Sequence, residues 1–167
     1  GPLIIFNCAT LPAALFESVL FGESGEEGSG KLDQAEGGTL VLLKLQQVPG
    51  DLLVRLLKAL DDGYHYDTRS RVPRRHNVRL IGTTDRDLGE EVRLNRFPAD
   101  VWQRLQACLL RVPALRERPG DITLIAQDEL DRRNRSLPRP RRFSTGALAR
   151  LGSHTWPSNV SELRRVI

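Results

Sequence analysis

The sequence predicts an α/β fold with a mainly parallel sheet, followed by a small all-helical subdomain. Three observations predict it. Short apolar runs at residues 3–6, 39–43 and 77–84 have the length and make-up of buried strands. Apolar residues at helical spacing lie between them, and strands that alternate with helices point to parallel pairing. From residue 115 onward, only helical patterns follow.

The elements can be justified in order. The first strand ends at Asn7, and Leu15, Phe16, Val19 and Leu20 then recur at helical spacing until Phe21-Gly22 stops the helix. Residues 23–30 are Gly, Ser and Glu and read as a loop. The continuous run Thr39 to Leu43 suits a strand covered on both faces. Leu52, Leu53, Leu56, Leu57 and Leu60 then make one apolar helical stripe, with Gly63 placed as its C-terminal cap. A strand is expected within 77–84, a short helix over 100–105 and a further strand over 108–112. Residues 122–134, 144–154 and 158–167 carry helical patterns, with Ser144 and Ser158 placed as N-caps and Glu162 close to capping-box spacing. The predicted division is therefore an α/β part over 1–114 and a helical part over 115–167.

Composition excludes several classes. The 167 residues are 40% apolar and 28% charged, which describes a globular chain rather than a disordered tail or a disulfide scaffold. No apolar run approaches the ~18 residues of a membrane span. The chain opens Gly-Pro-Leu without an initiator Met or a secretory signal pattern, so it reads as a fragment or processed chain; its two separate cysteines suit a cytoplasmic protein. A net charge of +4 permits nucleic-acid contact without implying it. Cys8 and Cys108 stand far apart, as do His65, His76 and His154, so metal ligation is not expected and both thiols read as reduced core residues.

An ordered series of segments carries a more specific resemblance. It runs through Asn7-Cys8-Ala9, Leu11-Pro12, Leu15-Phe16-Glu17-Ser18, Leu20-Phe21-Gly22 and Gly37-Gly38-Thr39-Leu40. It continues through Asp85-Arg86-Asp87-Leu88, Leu115-Arg116-Glu117-Arg118, Trp156-Pro157, Asn159-Val160 and Glu162-Leu163. Together these resemble the AAA+ domain of bacterial enhancer-binding proteins, the ATPases that remodel sigma-54 RNA polymerase. The resemblance implies an α/β wedge with a helical lid, a homo-oligomer, contact with RNA polymerase or other regulator domains, and DNA binding only through a domain outside this chain. It also implies that the first strand and phosphate loop of that fold would lie upstream of Leu3.

Against that background the chemical positions depart from the family. Hydrolysis of this kind uses an acid to hold Mg²⁺ and a Glu to prepare water. Where the family reads GGTLFLDE this chain reads GGTLVLLK, so Leu43 replaces the metal-holding Asp and Lys44 the catalytic Glu. An aliphatic group cannot bind a hard cation, and an ammonium cannot take a proton from water. Lys44 reads either as a solvated strand end or as a cation standing in for Mg²⁺ beside an anion. Asp85 takes the place of the sensor Asn, where it would either repel a triphosphate or cap the following turn. FREDLYYRL becomes FPADVWQRL, so Pro98 replaces the first trans-acting arginine while Arg104 keeps the second. WPGNVREL becomes WPSNVSEL, which puts Ser161 at the lid sensor arginine, with Arg164 and Arg165 one turn on.

The loop between Gly22 and Gly30 lacks the GAFTGA pattern that engages sigma-54. Gly25 to Lys31 fits G-x-x-x-x-G-K, yet it follows a helix and sets Leu32 where a Mg²⁺-reaching hydroxyl belongs, so it reads as a decoy. The arginine-rich stretches at 69–75 and 132–142 could bind nucleic acid or an acidic ligand, and read first as solvated loops.

The expectation is a degenerate AAA+ regulatory domain that serves subunit assembly or signal transmission without efficient ATP hydrolysis and without a bound metal. Two alternatives remain at this point. One is an effector domain in which Arg104, Arg116 and Arg164 help hold ATP, ADP or a cyclic dinucleotide. The other is an active ATPase completed by an upstream phosphate loop.

Overall fold

The computed structural model describes residues 1–22, 29–66 and 73–167, with the side chains of residues 65 and 66 left aside. It forms two compact units, Gly1–Leu109 and Leu110–Ile167. The first contains β1 (Leu3–Asn7), α1 (Phe16–Phe21), α2 (Lys31–Gln34), β2 (Thr39–Leu43), α3 (Gly50–Asp62), β3 (Tyr64–Tyr66), β4 (Pro73–Arg75), β5 (Arg79–Gly82), α4 (Leu88–Arg93) and α5 (Ala99–Leu105). The second contains α6 (Pro119–Asn134), α7 (Thr145–Ser153) and α8 (Asn159–Val166).

The three long-range strands pair in parallel in the order β1-β2-β5, and β3 and β4 make a separate antiparallel pair. Because side chains alternate along a strand, Leu40 and Leu42 point to one face, where they are fully buried with Phe16, Leu20, Phe21, Leu32, Leu53 and Leu56. Burying a leucine such as Leu56 contributes about 1.5–3 kcal/mol, so this cluster holds the unit together. The α3 stripe meets it through Leu52, Leu53, Leu56 and Ala59. Gly63 closes that helix at φ 69°, a left-handed conformation that costs glycine nothing. Its carbonyl then accepts from the His76 N–H at 3.0 Å. α1 stops at Gly22, whose N–H reaches the Ser18 carbonyl at 2.8 Å.

Three expectations need correction. The strand β2 is not fully covered on both faces: Leu40 and Leu42 are buried, whereas Thr39, Val41 and Leu43 on its other side are only half-buried. The predicted strand at 108–112 is instead a 3-10 turn, Gln106–Cys108, followed by unpaired chain in which Leu110 is 84% exposed. An apolar run becomes a strand only when a neighbour takes its N–H and C=O groups, and no described strand pairs with it. Cys108 is consequently exposed, whereas Cys8 is a core thiol as expected.

The helical unit packs Leu115, Ile122, Ala126, Trp156 and Leu163 into its own core. Ser144 caps α7 by accepting from the Ala147 N–H at 3.2 Å. The Ser158 hydroxyl makes no such bond; the Glu162 carboxylate accepts from the Ser158 N–H at 2.9 Å instead. Asn159 opens α8 at φ 51° and its side-chain oxygen accepts from the Leu115 N–H at 2.7 Å. That bond ties the Leu115 turn to the start of α8. The Trp156 indole N–H donates to the Leu151 carbonyl at 2.9 Å, fixing the α7–α8 connection. Among the described residues no helix is long and apolar enough to cross a membrane.

Candidate functional site

Parallel strands bring their C-terminal ends to one edge, and in open α/β sheets that edge is where ligands bind. Here it gathers the ends of β2 and β5. The Thr83 N–H donates to the Leu42 carbonyl at 2.9 Å and the Leu45 N–H to the Thr83 carbonyl at 2.9 Å, which clamps the two exits together. Lys44 sits between these bonds at φ 60°, ψ 50°, a left-handed conformation uncommon for a side chain of its type. Strained backbone of this kind persists where its surroundings over-determine it.

The Lys44 side chain has a defined partner. Lys44 Nζ donates to Asp85 Oδ2 at 2.6 Å, and Gln46 Nε2 donates to Asp85 Oδ1 at 2.7 Å. The Lys44 hydrogen bond, then the backbone amide of Asp85 and the Gln46 contact, hold the Asp85 carboxyl below the ordinary carboxylate range. Both side chains remain substantially exposed, at 43% and 62%, so the pair is a surface feature of the strand ends. Lys44 is therefore neither a free strand end nor a free cation. Asp85 does not cap the next turn; the Thr84 hydroxyl accepts from the Arg86 N–H at 3.1 Å, and Asp87 caps α4 by accepting from the Glu90 N–H at 3.1 Å.

The donor set does not suit Mg²⁺. The Leu43 side chain offers no oxygen, the Asp85 carboxylate is bound to an ammonium, and no group of three His, Cys, Asp or Glu side chains able to hold a metal occurs among the described residues.

Arg104 lies in the last turn of α5, where its charge suits the helix dipole. Both of its terminal nitrogens bond the two carboxylate oxygens of Asp61, near the end of α3. The fork, with the opposite charge behind it, lowers the Asp61 pKa and raises that of Arg104. The pair borders a shallow groove of about 270 Å³ that Val54, Leu57 and Val101 also line. Arg116 and Arg164 belong to the helical unit and are exposed; they stand 4.0 Å from Glu117 and Glu129 respectively, with no bond between them. The loop at 23–28, with most of the G-x-x-x-x-G-K decoy, and the arginines at 69 and 71 lie outside the described residues. Lys31 itself donates to the Gln34 side chain at 2.9 Å.

Sequence reasoning missed Gln46 and Asp61. Asp61 carried a signal: an acid in the last turn of a helix opposes the dipole, and α3 has no basic residue there to answer it. Such an acid implies a cation from elsewhere. Gln46 carried none.

Residues 1–111 match the sigma-54 interaction domain, and residues 116–167 match the AAA+ ATPase lid domain. The chain belongs to the sigma-54 interaction domain family. Its fold is that of AAA+ relatives: NtrX from Brucella abortus, solved with ATP, superposes with a TM-score of 0.89 at 29% identity over 99% of this chain and 37% of that one. The same protein solved with ADP gives 0.89 at 28% identity. The chain is 42% identical to the nitric oxide reductase transcription regulator NorR2 of Cupriavidus necator, covering 99% of this chain and 33% of that protein. It is 36% identical to the Nif-specific regulatory protein of Azotobacter vinelandii, over 99% and 33%. The chain thus spans about a third of the length of the curated relatives it matches.

Proposed function

We propose that this chain is the AAA+ domain of a bacterial transcription regulator and that it acts in subunit assembly or signal transmission without efficient ATP hydrolysis. Its likeness to NorR2 and to the Nif-specific regulator supports the regulatory role. One observation carries the loss of turnover: the 2.6 Å bond between Lys44 and Asp85. The residue at the water-activating position is a cation that cannot accept a proton, and its charge is already neutralised by the residue at the sensor position. Leu43 beside it removes the metal ligand. Arg104, held by Asp61 within its own chain, is available to a neighbouring subunit only once that fork opens.

Nucleotide then acts as an effector; Arg104 in the first unit and, separately, Arg116 and Arg164 in the helical unit are the candidate contacts, each to be tested by itself. Support for retained binding comes from NtrX, described in complex with ADP and with ATP. Calorimetry on the full-length gene product, with ATP and ADP in the presence and absence of Mg²⁺, tests the reading. Binding that ignores Mg²⁺ together with no phosphate release is expected, and displacement by a cyclic dinucleotide would identify that ligand as the effector. Steady Mg²⁺-dependent phosphate release that Arg104→Ala abolishes would overturn the proposal.

A further inference from the structure

Residues 132–161 contain seven arginines and no Asp or Glu, the most one-sided charge distribution in the chain. Arg132 and Arg133 are answered one helical turn earlier, by Asp128 at 2.8 Å and Glu129 at 3.0 Å. Arg135, Arg139, Arg141 and Arg142 are exposed and have no side-chain partner among the described residues. They follow the end of α6, on the connection to α7.

This connection is built. The Asn134 amide donates to the Arg141 carbonyl at 2.9 Å, and its oxygen accepts from the Arg141 N–H at 2.8 Å, so one side chain closes the loop at both ends. Pro138 and Pro140 fix φ inside it, and the Ser136 hydroxyl donates to the Arg133 carbonyl at 2.9 Å. Phe143, immediately after, packs on the helical core and anchors the exit. Four like charges are thus carried within eight residues on a braced backbone, an arrangement suited to a ligand with repeated negative charge. Bracing lowers the ordering cost of binding such a ligand.

All four arginines are exposed and are distributed over eight residues of one loop, which favours an extended polyanion over a small anion. Guanidinium groups fork onto phosphate oxygens. The loop presents no aromatic residue on which unpaired bases would stack, since Phe143 faces the core. We propose that residues 134–142 of the lid bind the phosphate backbone of a nucleic-acid duplex without reading its sequence. This surface is independent of the strand-end site.

Fluorescence anisotropy of a labelled mixed-sequence DNA duplex with the 167-residue chain tests it. Each phosphate contact contributes about −0.9 to the slope of log K against log salt, so up to four contacts give a slope of about −3 to −4. Replacing Arg135, Arg139, Arg141 and Arg142 by Gln should cut low-salt affinity at least tenfold and remove most of that slope, with the melting temperature unchanged. The same four positions changed to Lys should keep the slope, and Asn134→Ala should weaken binding while keeping all four charges. Retained affinity in the Gln variant, no duplex binding at low salt, or equal binding of single strands, polyglutamate or anionic vesicles would each overturn the proposal.

Discussion

Lys44 and Asp85 form one ion pair across the ends of two adjacent strands, Nζ to Oδ2 at 2.6 Å. Viewed singly, each is a loss: a base replaced by a cation, a neutral amide replaced by an anion. Together they are complementary, because the second supplies the charge that the first requires. Repulsion of a triphosphate by Asp85, expected from the sequence, is correspondingly reduced. Lys44 is left-handed at the exit of β2, and its ammonium lies against Asp85 after β5.

The coupling predicts a non-additive mutational cycle. Lys44→Glu alone sets two carboxylates in contact and should destabilise the strand ends, whereas Lys44→Glu with Asp85→Asn removes the conflict. Urea denaturation of both singles and the double variant measures the coupling. Additive effects would mean that the two side chains act independently.

A pH dependence follows from the depressed Asp85 pKa. A carboxyl whose folded pKa lies below its unfolded value, ordinarily about 3.9, contributes stability above that value and loses it as pH falls through the folded pKa. Carboxyl-carbon NMR should therefore find Asp85 titrating below ordinary aspartates, and Lys44→Ala should move it upward. The gain in stability is small because the pair is exposed.

The two thiols should differ sharply in reactivity. Burial pushes Cys8 up to about 11, so it presents almost no thiolate at neutral pH, whereas Cys108 is exposed. Labelling with a maleimide should modify one cysteine in the native chain and two in denaturant. Peptide mapping that finds Cys8 modified in the native chain contradicts the burial described here.

Leu163 is fully buried in the lid core. Leu163→Ala should cost about 2–5 kcal/mol in the unfolding of that unit, read by the fluorescence of Trp156 beside it. The Gly22 to Gly63 region, which shares none of that core, should keep its stability.

The effect of freeing Arg104 can be measured separately. Asp61→Asn removes one charge from the fork, and with both partners exposed the melting temperature should barely move. If the fork competes with assembly, the variant should associate at lower protein concentration in sedimentation velocity. An unchanged association profile would show that the fork does not restrain Arg104.

Much of the fold was legible because local patterns and tertiary packing agree. The α3 stripe has one apolar face and a glycine at its end, so helix, buried side and stop follow from spacing and backbone chemistry alone. Thr39 to Leu43 reads as a strand for the same reason. The run at 108–112 misled because composition describes a residue's suitability for a strand and not the presence of a neighbour.

The α3 stripe and the β2 run mark much of the core in the sequence alone, and so does the chemistry of two side chains: Leu43 has no group to ligate Mg²⁺, and a charged Lys44 cannot take a proton. Only the tertiary structure decided what the substituted groups do. Lys44 meets Asp85, 41 residues away, and Arg104 meets Asp61, 43 residues away. Those pairings depend on the parallel register of β2 and β5 and on the packing of α3 against α5, distances that no local pattern encodes. Hydrophobic periodicity is a property of neighbouring residues, whereas a salt bridge between distant ones exists only after the backbone has closed.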